Sequence, residues 1–175
     1  NSTGGKLEGR KEKFFEDLRP KILLIDDSEM NRAILREVLG EEFAVLEAAN
    51  GEEGLEYLEE HEEDISLVLL DIIMPVMDGF EVLRVMSEKN FLDNIPVIMI
   101  SSEESETYVK KAYEMGAMDY INRPFDAQVV YRRVFNTIKL YAKQRRLIAL
   151  VTDQIKSELK KKRKTVWKRL DFCEN

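Results

Sequence analysis

Residues 21–40 read KILLIDDSEMNRAILREVLG, and this stretch decides the fold. Ile22 to Ile25 form an unbroken apolar run that stops on two acids, Asp26 and Asp27. A strand with one face in water would alternate apolar and polar residues. A continuous run marks a strand covered on both faces, as in a parallel sheet flanked by helices. Ser28 then supplies an N-cap for a helix with apolar positions Met30, Ile34, Leu35 and Val38, and Gly40 stops it.

The same alternation continues downstream. FAVLEA (43–48) reads as a second strand and NGEEGLEYLEE (50–60) as a short helix. ISLVLLD (65–71) is a third strand, followed by the loop MPVMDG (74–79) and a helix from Phe80 to Asn90. IPVIMIS (95–101), the helical SETYVKKAYEMG (105–116) and the strand MDYIN (118–122) follow, and DAQVVYRRVFNTIK (126–139) opens a fifth helix. Five strands alternating with helices predict a doubly wound α/β domain over residues 21–140.

Residues 1–20 are glycine-rich, then charged, and read as a linker or cloning remnant with a short helical turn. At the other end, residues 127–170 contain neither Gly nor Pro, which allows a helix of about 44 residues, ~65 Å long. Its part beyond 140 is a basic extension, residues 141–175. Val134, Ile138, Tyr141, Ile148, Ile155, Leu159 and Val166 share one heptad register, broken by Arg145, Thr152 and Lys162. Three readings stand: a solvated helix partly packed on the domain, a dimer-forming or interdomain coiled coil, and a frayed tail.

Composition narrows the function classes. A hydrophobic fraction of 44% suits a globular chain. One cysteine, Cys173, and one histidine leave no Cys/His metal site. No run approaches the ~18 apolar residues of a membrane span, and no apolar leader is evident, so a soluble, cytoplasmic protein is expected. Residues 1–155 carry 19 Lys and Arg against 31 Asp and Glu, while residues 156–175 carry 8 against 3. The acidic body argues against nucleic acid as a partner; the basic tail leaves that reading open, although KKKRKTVWKRL is too short for a helix-turn-helix unit.

In an open parallel sheet, ligands bind beyond the carboxyl ends of the strands. Asp26 and Asp27 follow the first strand and Asp71 the third; Ser101 and Ser102 lie at the end of the fourth and Arg123 after the fifth. Singly, each has a plainer role: an Asp as a cap or turn former, a Ser as a turn residue, an Arg as a surface cation. Together they are far more specific. Three carboxylates repel one another unless protons or a metal neutralise them. Oxygen-only donors suit a hard cation, Mg²⁺ in preference to Ca²⁺. A metal, a hydroxyl and a cation around one carboxylate then form a cradle for a phosphoryl group, with that carboxylate as nucleophile.

With these residues in view, the chain from about Lys21 to Lys139 resembles a bacterial response-regulator receiver domain, of the CheY-like type. The matching segments are LLIDDSEMNR, LVLLDIIMPVMDGFEVL, VIMIS and GAMDYINRPF. The spacings match too: 44 residues from Asp27 to Asp71, 30 to Ser101, 19 to Tyr120 and 3 to Arg123. The resemblance implies a flavodoxin-like sheet of order 2-1-3-4-5 and phosphorylation of Asp71 by a histidine kinase, a phosphotransfer protein or a small phosphodonor. It implies Mg²⁺ (or Mn²⁺) on Asp27 and Asp71 directly, on Asp26 through water and on the backbone carbonyl of Ile73. Ser101 would bond a phosphoryl oxygen, and Tyr120 would turn from an outward to an inward rotamer. That turn would reshape the face made by the fourth helix, fifth strand and fifth helix. Pro75 and Gly79 would shape the loop after Asp71, and the Arg123–Pro124 peptide would be cis.

By the same resemblance the domain is no classical enzyme, catalysing only its own phosphorylation and dephosphorylation. It would pair through the switching face and the C-terminal helix, with an effector domain missing from this chain. RPFDAQVVYRRVFNTIKLYAKQRRL (123–147) is similar to receivers joined to cyclic-di-GMP synthesis or hydrolysis domains. An α/β phosphatase is a weaker rival, since its Asp-x-Asp after the first strand is absent. The departure from the family is Arg123, where lysine is expected. A planar fork does not present phosphate as an ammonium does, although bidentate contact with a phosphoryl group or with Asp71 is open to it. The alternative is therefore a pseudo-receiver, a phosphorylation-independent interaction and dimerisation module.

Overall fold

A computed structural model describes residues 18–103 and 105–173. Of the N-terminal stretch expected to be a linker with a helical turn, residues 1–17 lie outside the described residues. Five strands run β1 Lys21–Ile25, β2 Ala44–Ala48, β3 Ile65–Leu70, β4 Val97–Ser101 and β5 Asp119–Asn122. All pair in parallel in the order β2-β1-β3-β4-β5. The helices are α1 Glu29–Leu39, α2 Gly51–His61, α3 Gly79–Glu88, α4 Glu106–Glu114 and α5 Ala127–Cys173.

The unbroken apolar run of β1 is explained by its burial. Leu23 and Ile25 enter one core cluster, with Leu58 of α2 and Leu83 and Met86 of α3. Ile22 and Leu24 enter the other, with Leu35 and Leu39 of α1 and Val130 and Val134 of α5. All four β1 residues are fully buried. Each side chain so covered contributes about 1.5–3 kcal/mol, so β1 anchors both layers at once. Helix starts are fixed locally: Ser28 accepts from the Asn31 amide at 3.3 Å, Asn50 from Glu53 at 2.8 Å and Asp78 from Glu81 at 2.9 Å. Gly40 ends α1 at φ +69°, a conformation that glycine adopts without cost.

The apolar positions of α1 are not equally covered. Met30 and Ile34 lie outside the core, at 72% and 47% exposure; Leu35 and Leu39 carry the buried face of α1. The first turns of α1 border the open carboxyl edge of the sheet, where Ile34 shares a groove with Arg123, Pro124 and Phe125. The long fifth helix is as expected, running from Ala127 to Cys173, 47 residues.

The chain divides into two compact units, one ending at Ile138 and the other starting at Lys139. In the second, Ile148, Ile155, Leu159 and Val166 are each more than half exposed. No helix among the described residues is long and apolar enough to cross a membrane.

Candidate functional site

Register brings the acids together. Ile25 lies opposite Leu70, so the residues that follow, Asp26 and Asp71, leave the sheet side by side, and the Asp71 amide donates to the Ile25 carbonyl at 2.9 Å. Likewise Ser101 lies opposite Asn122, and the Arg123 amide donates to the Ser101 carbonyl at 2.9 Å. Of the candidates, Asp26, Asp27, Asp71, Ser101 and Arg123 gather at this edge. Ser102 is exposed.

Asp26 is 2% exposed and fully engaged. Its Oδ1 accepts from the Ser28 amide at 2.9 Å and its Oδ2 from Arg123 Nη2 at 2.7 Å. Its main-chain carbonyl accepts from Arg32 Nη1 at 2.7 Å. Arg32 in turn is braced by Glu47 at 3.3 Å, which also takes Arg36 at 2.5 Å. Sequence reading missed this brace, although an acid inside the strand run FAVLEA was a signal for it. Arg123, expected on a phosphoryl group or on Asp71, is ion-paired with Asp26 instead. The long arginine side chain carries its fork across to the end of β1.

Asp71 is 9% exposed, and its Oδ1 accepts from the Ile72 amide at 2.9 Å. Burial first, then the neighbouring Asp26 charge, push its carboxyl up to about 6, against the opposing pull of Arg123 and the Ile72 amide. Gly79 is required beside it. A Cβ there would lie 2.3 Å from the Asp71 carbonyl oxygen and 2.9 Å from Ile72 Cα, both backbone atoms. The loop between carries Ile73, half exposed, Pro75, and Val76 at φ +68°. No sequence signal foretold a β-branched residue in that left-handed conformation.

Ser101 is fully buried, and its hydroxyl accepts from the Glu103 amide at 3.2 Å. Tyr120 is 6% exposed and packs into the core, and its hydroxyl donates to the Glu103 carbonyl at 2.7 Å, so the ring is turned inward. Burial raises that phenol's pKa above its ordinary value. The Arg123–Pro124 peptide is cis.

One carboxylate oxygen each from Asp26, Asp27 and Asp71 lie within 4.8 Å of one another. Among the described residues this is the one group of three acid, His or Cys side chains with that geometry. The donors are all oxygen, and one of them, Asp71, is buried with the Asp26 carboxylate beside it. Such a set fits a small hard cation.

The family description "Response regulator receiver domain" matches residues 22–135. This chain belongs to the response-regulator receiver family. Receivers are signalling modules, not classical enzymes, and the CheY-like sheet order is the one expected from the resemblance. The Halobacterium salinarum chemotaxis protein CheY is 43% identical over 106 residues, 60% of this chain and 85% of that one. A Vibrio cholerae protein named "Probable cyclic di-GMP phosphodiesterase" is 34% identical over 113 residues, 65% of this chain but only 25% of its own length. Among solved structures, a Borrelia burgdorferi complex titled CheX-CheY-BeF3-Mg+2 aligns with TM-score 0.61 and 35% identity, over 67% of this chain and 87% of that one.

Proposed function

We propose that this receiver accepts a phosphoryl group on Asp71 and passes the change to its fourth helix, fifth strand and fifth helix. The reading rests above all on three carboxylates whose oxygens lie within 4.8 Å at the strand ends, next to a buried serine and an arginine. With Oδ1 held by the Ile72 amide, Asp71 Oδ2 is the attacking oxygen. It forms the new P–O bond of an acyl phosphate as the bond to the donor, a phosphohistidine or acetyl phosphate, breaks. Since the carboxyl titrates near 6, it is ionised and nucleophilic at neutral pH. Ser101 donates its hydroxyl to a phosphoryl oxygen, and Arg123 neutralises a second. Asp27, Asp71 and the Ile73 carbonyl would hold Mg²⁺ or Mn²⁺ directly and Asp26 through water, and the ion would supply charge neutralisation for the phosphoryl oxygens.

The donor is a sensor histidine kinase or phosphotransfer protein in the cytoplasm. Phosphorylation draws the Ser101 loop in, keeps Tyr120 inward and promotes a homodimer through α4-β5-α5 and the C-terminal helix. A cyclic-di-GMP domain is the output class that the similarity to the Vibrio cholerae phosphodiesterase favours. The test is phosphate incorporation from acetyl phosphate with Mg²⁺, expected in the native chain and lost in Asp71→Asn.

The engagement of Arg123 with Asp26 favours one second reading, the phosphorylation-independent pseudo-receiver. That reading wins if neither acetyl phosphate nor BeF₃⁻ perturbs the native chain while Arg123→Lys restores a response.

A further inference from the structure

We infer that Arg123 is a latch on Asp26, competing with the divalent cation for that carboxylate and so setting the cation affinity of the site. The inference rests on the reading of the acid cluster as a cation site. It starts from an inventory of the Asp26 oxygens. Oδ1 is held by the Ser28 amide at 2.9 Å, and Oδ2 by Arg123 Nη2 at 2.7 Å. The main-chain carbonyl is held by Arg32 at 2.7 Å. Every acceptor atom of Asp26 therefore has a donor already.

The pair is not a loose surface contact. Its side chains are 18% and 3% exposed for Arg123 and Asp26, so both partners are largely removed from water. A charge-assisted bond in such a place is strong, and breaking it leaves a buried carboxylate unpaired. A cation that needs Asp26 must displace the guanidinium, or work around it and accept a full positive charge as neighbour. Either way the cost falls on cation binding, and Asp27 and Asp71 are left as the freer donors. The phosphoryl group changes this balance. It offers the guanidinium new oxygens, so Arg123 leaves Asp26 and the carboxylate becomes available. Cation and phosphoryl group then bind cooperatively, with Arg123 as the coupling residue.

Arg123 acts here through Asp26, so it is a positioning residue in this role, and the readout must be the cation itself. Free Mn²⁺ counted by electron paramagnetic resonance gives the dissociation constant directly, without any turnover. Arg123→Gln is expected to tighten Mn²⁺ roughly tenfold, the scale on which one neighbouring charge shifts the proton affinity of a carboxylate. Arg123→Lys keeps the charge without the planar fork and is expected between the two. Adding BeF₃⁻ should tighten Mn²⁺ in the native chain and much less in Arg123→Gln.

Arg32→Gln is the control for a general field effect. It removes an equal charge from the main-chain side of Asp26, and it should leave the affinity unchanged or weaker. Circular dichroism and urea midpoints establish that each variant is folded. The latch is overturned if folded Arg123→Gln binds Mn²⁺ no tighter than the native chain, or if Arg32→Gln tightens it as much. Absence of Mn²⁺ binding in native and variant chains alike would instead sink the cation site, and the latch with it.

Discussion

Asp71 shows how burial turns a common side chain into a reactive one. Its carboxyl titrates near 6, above the ordinary 3.8, because the folded site both strips away water and sets Asp26 beside it. The folded state thus binds a proton more readily than the unfolded chain. As pH rises from about 4 to about 6, stability is lost, and the full ionisation penalty persists above that window. Asp71→Asn carries no such penalty. Without divalent cations it should be more stable than the native chain at pH 8, by on the order of 1–2 kcal/mol, with the gain vanishing near pH 4. Urea midpoints at the two pH values check this, and an equal gain at both would refute it. Mg²⁺ should narrow the difference at pH 8, since it binds the folded native site alone.

Among the elements, β1 and α2 meet where there is no spare room. Gly54 lies inside α2, where alanine would ordinarily favour the helix by about 1 kcal/mol. A Cβ at Gly54 would lie 2.4 Å from Ile25 Cδ1 and 2.8 Å from its Cγ1. Overpacking of that kind costs about 1–3 kcal/mol. Gly54→Ala should therefore lose stability in the native background. With Ile25→Val, which deletes the nearest atom, the loss should shrink or reverse. A double-mutant cycle in urea measures the coupling, and strict additivity would argue against the clash. Ile25 directly precedes Asp26, so the same substitution should weaken Mn²⁺ binding as well. Helix packing and site geometry are joined at this one strand end.

For the whole molecule, the two compact units make separable demands. The buried residues of α5 are Val130 and Val134, both within the first unit, whereas the apolar positions from Ile148 onward face water. A chain ending at Ile138 should thus unfold in one cooperative transition at the native urea midpoint and still bind BeF₃⁻ with Mg²⁺. The homodimer proposed to form on phosphorylation should be lost in this chain, as read by light scattering beside the full-length protein; equal dimerisation by the shortened chain would place the interface elsewhere.

What the sequence determined by itself was the order of strands and helices, and the carboxylates and serine at the strand ends. Local periodicity records which faces of an element are covered, and an acid that interrupts an apolar run marks where a strand leaves the sheet. Tertiary structure alone decided the pairings. Arg123 and Asp26 are 97 residues apart, and nothing local to either names the other. The inward ring of Tyr120, the left-handed Val76 and the exposure of Met30 and Ile34 belong to the same class. Each depends on what lies opposite in space, and a periodic pattern says only that a residue faces something, not what it meets there.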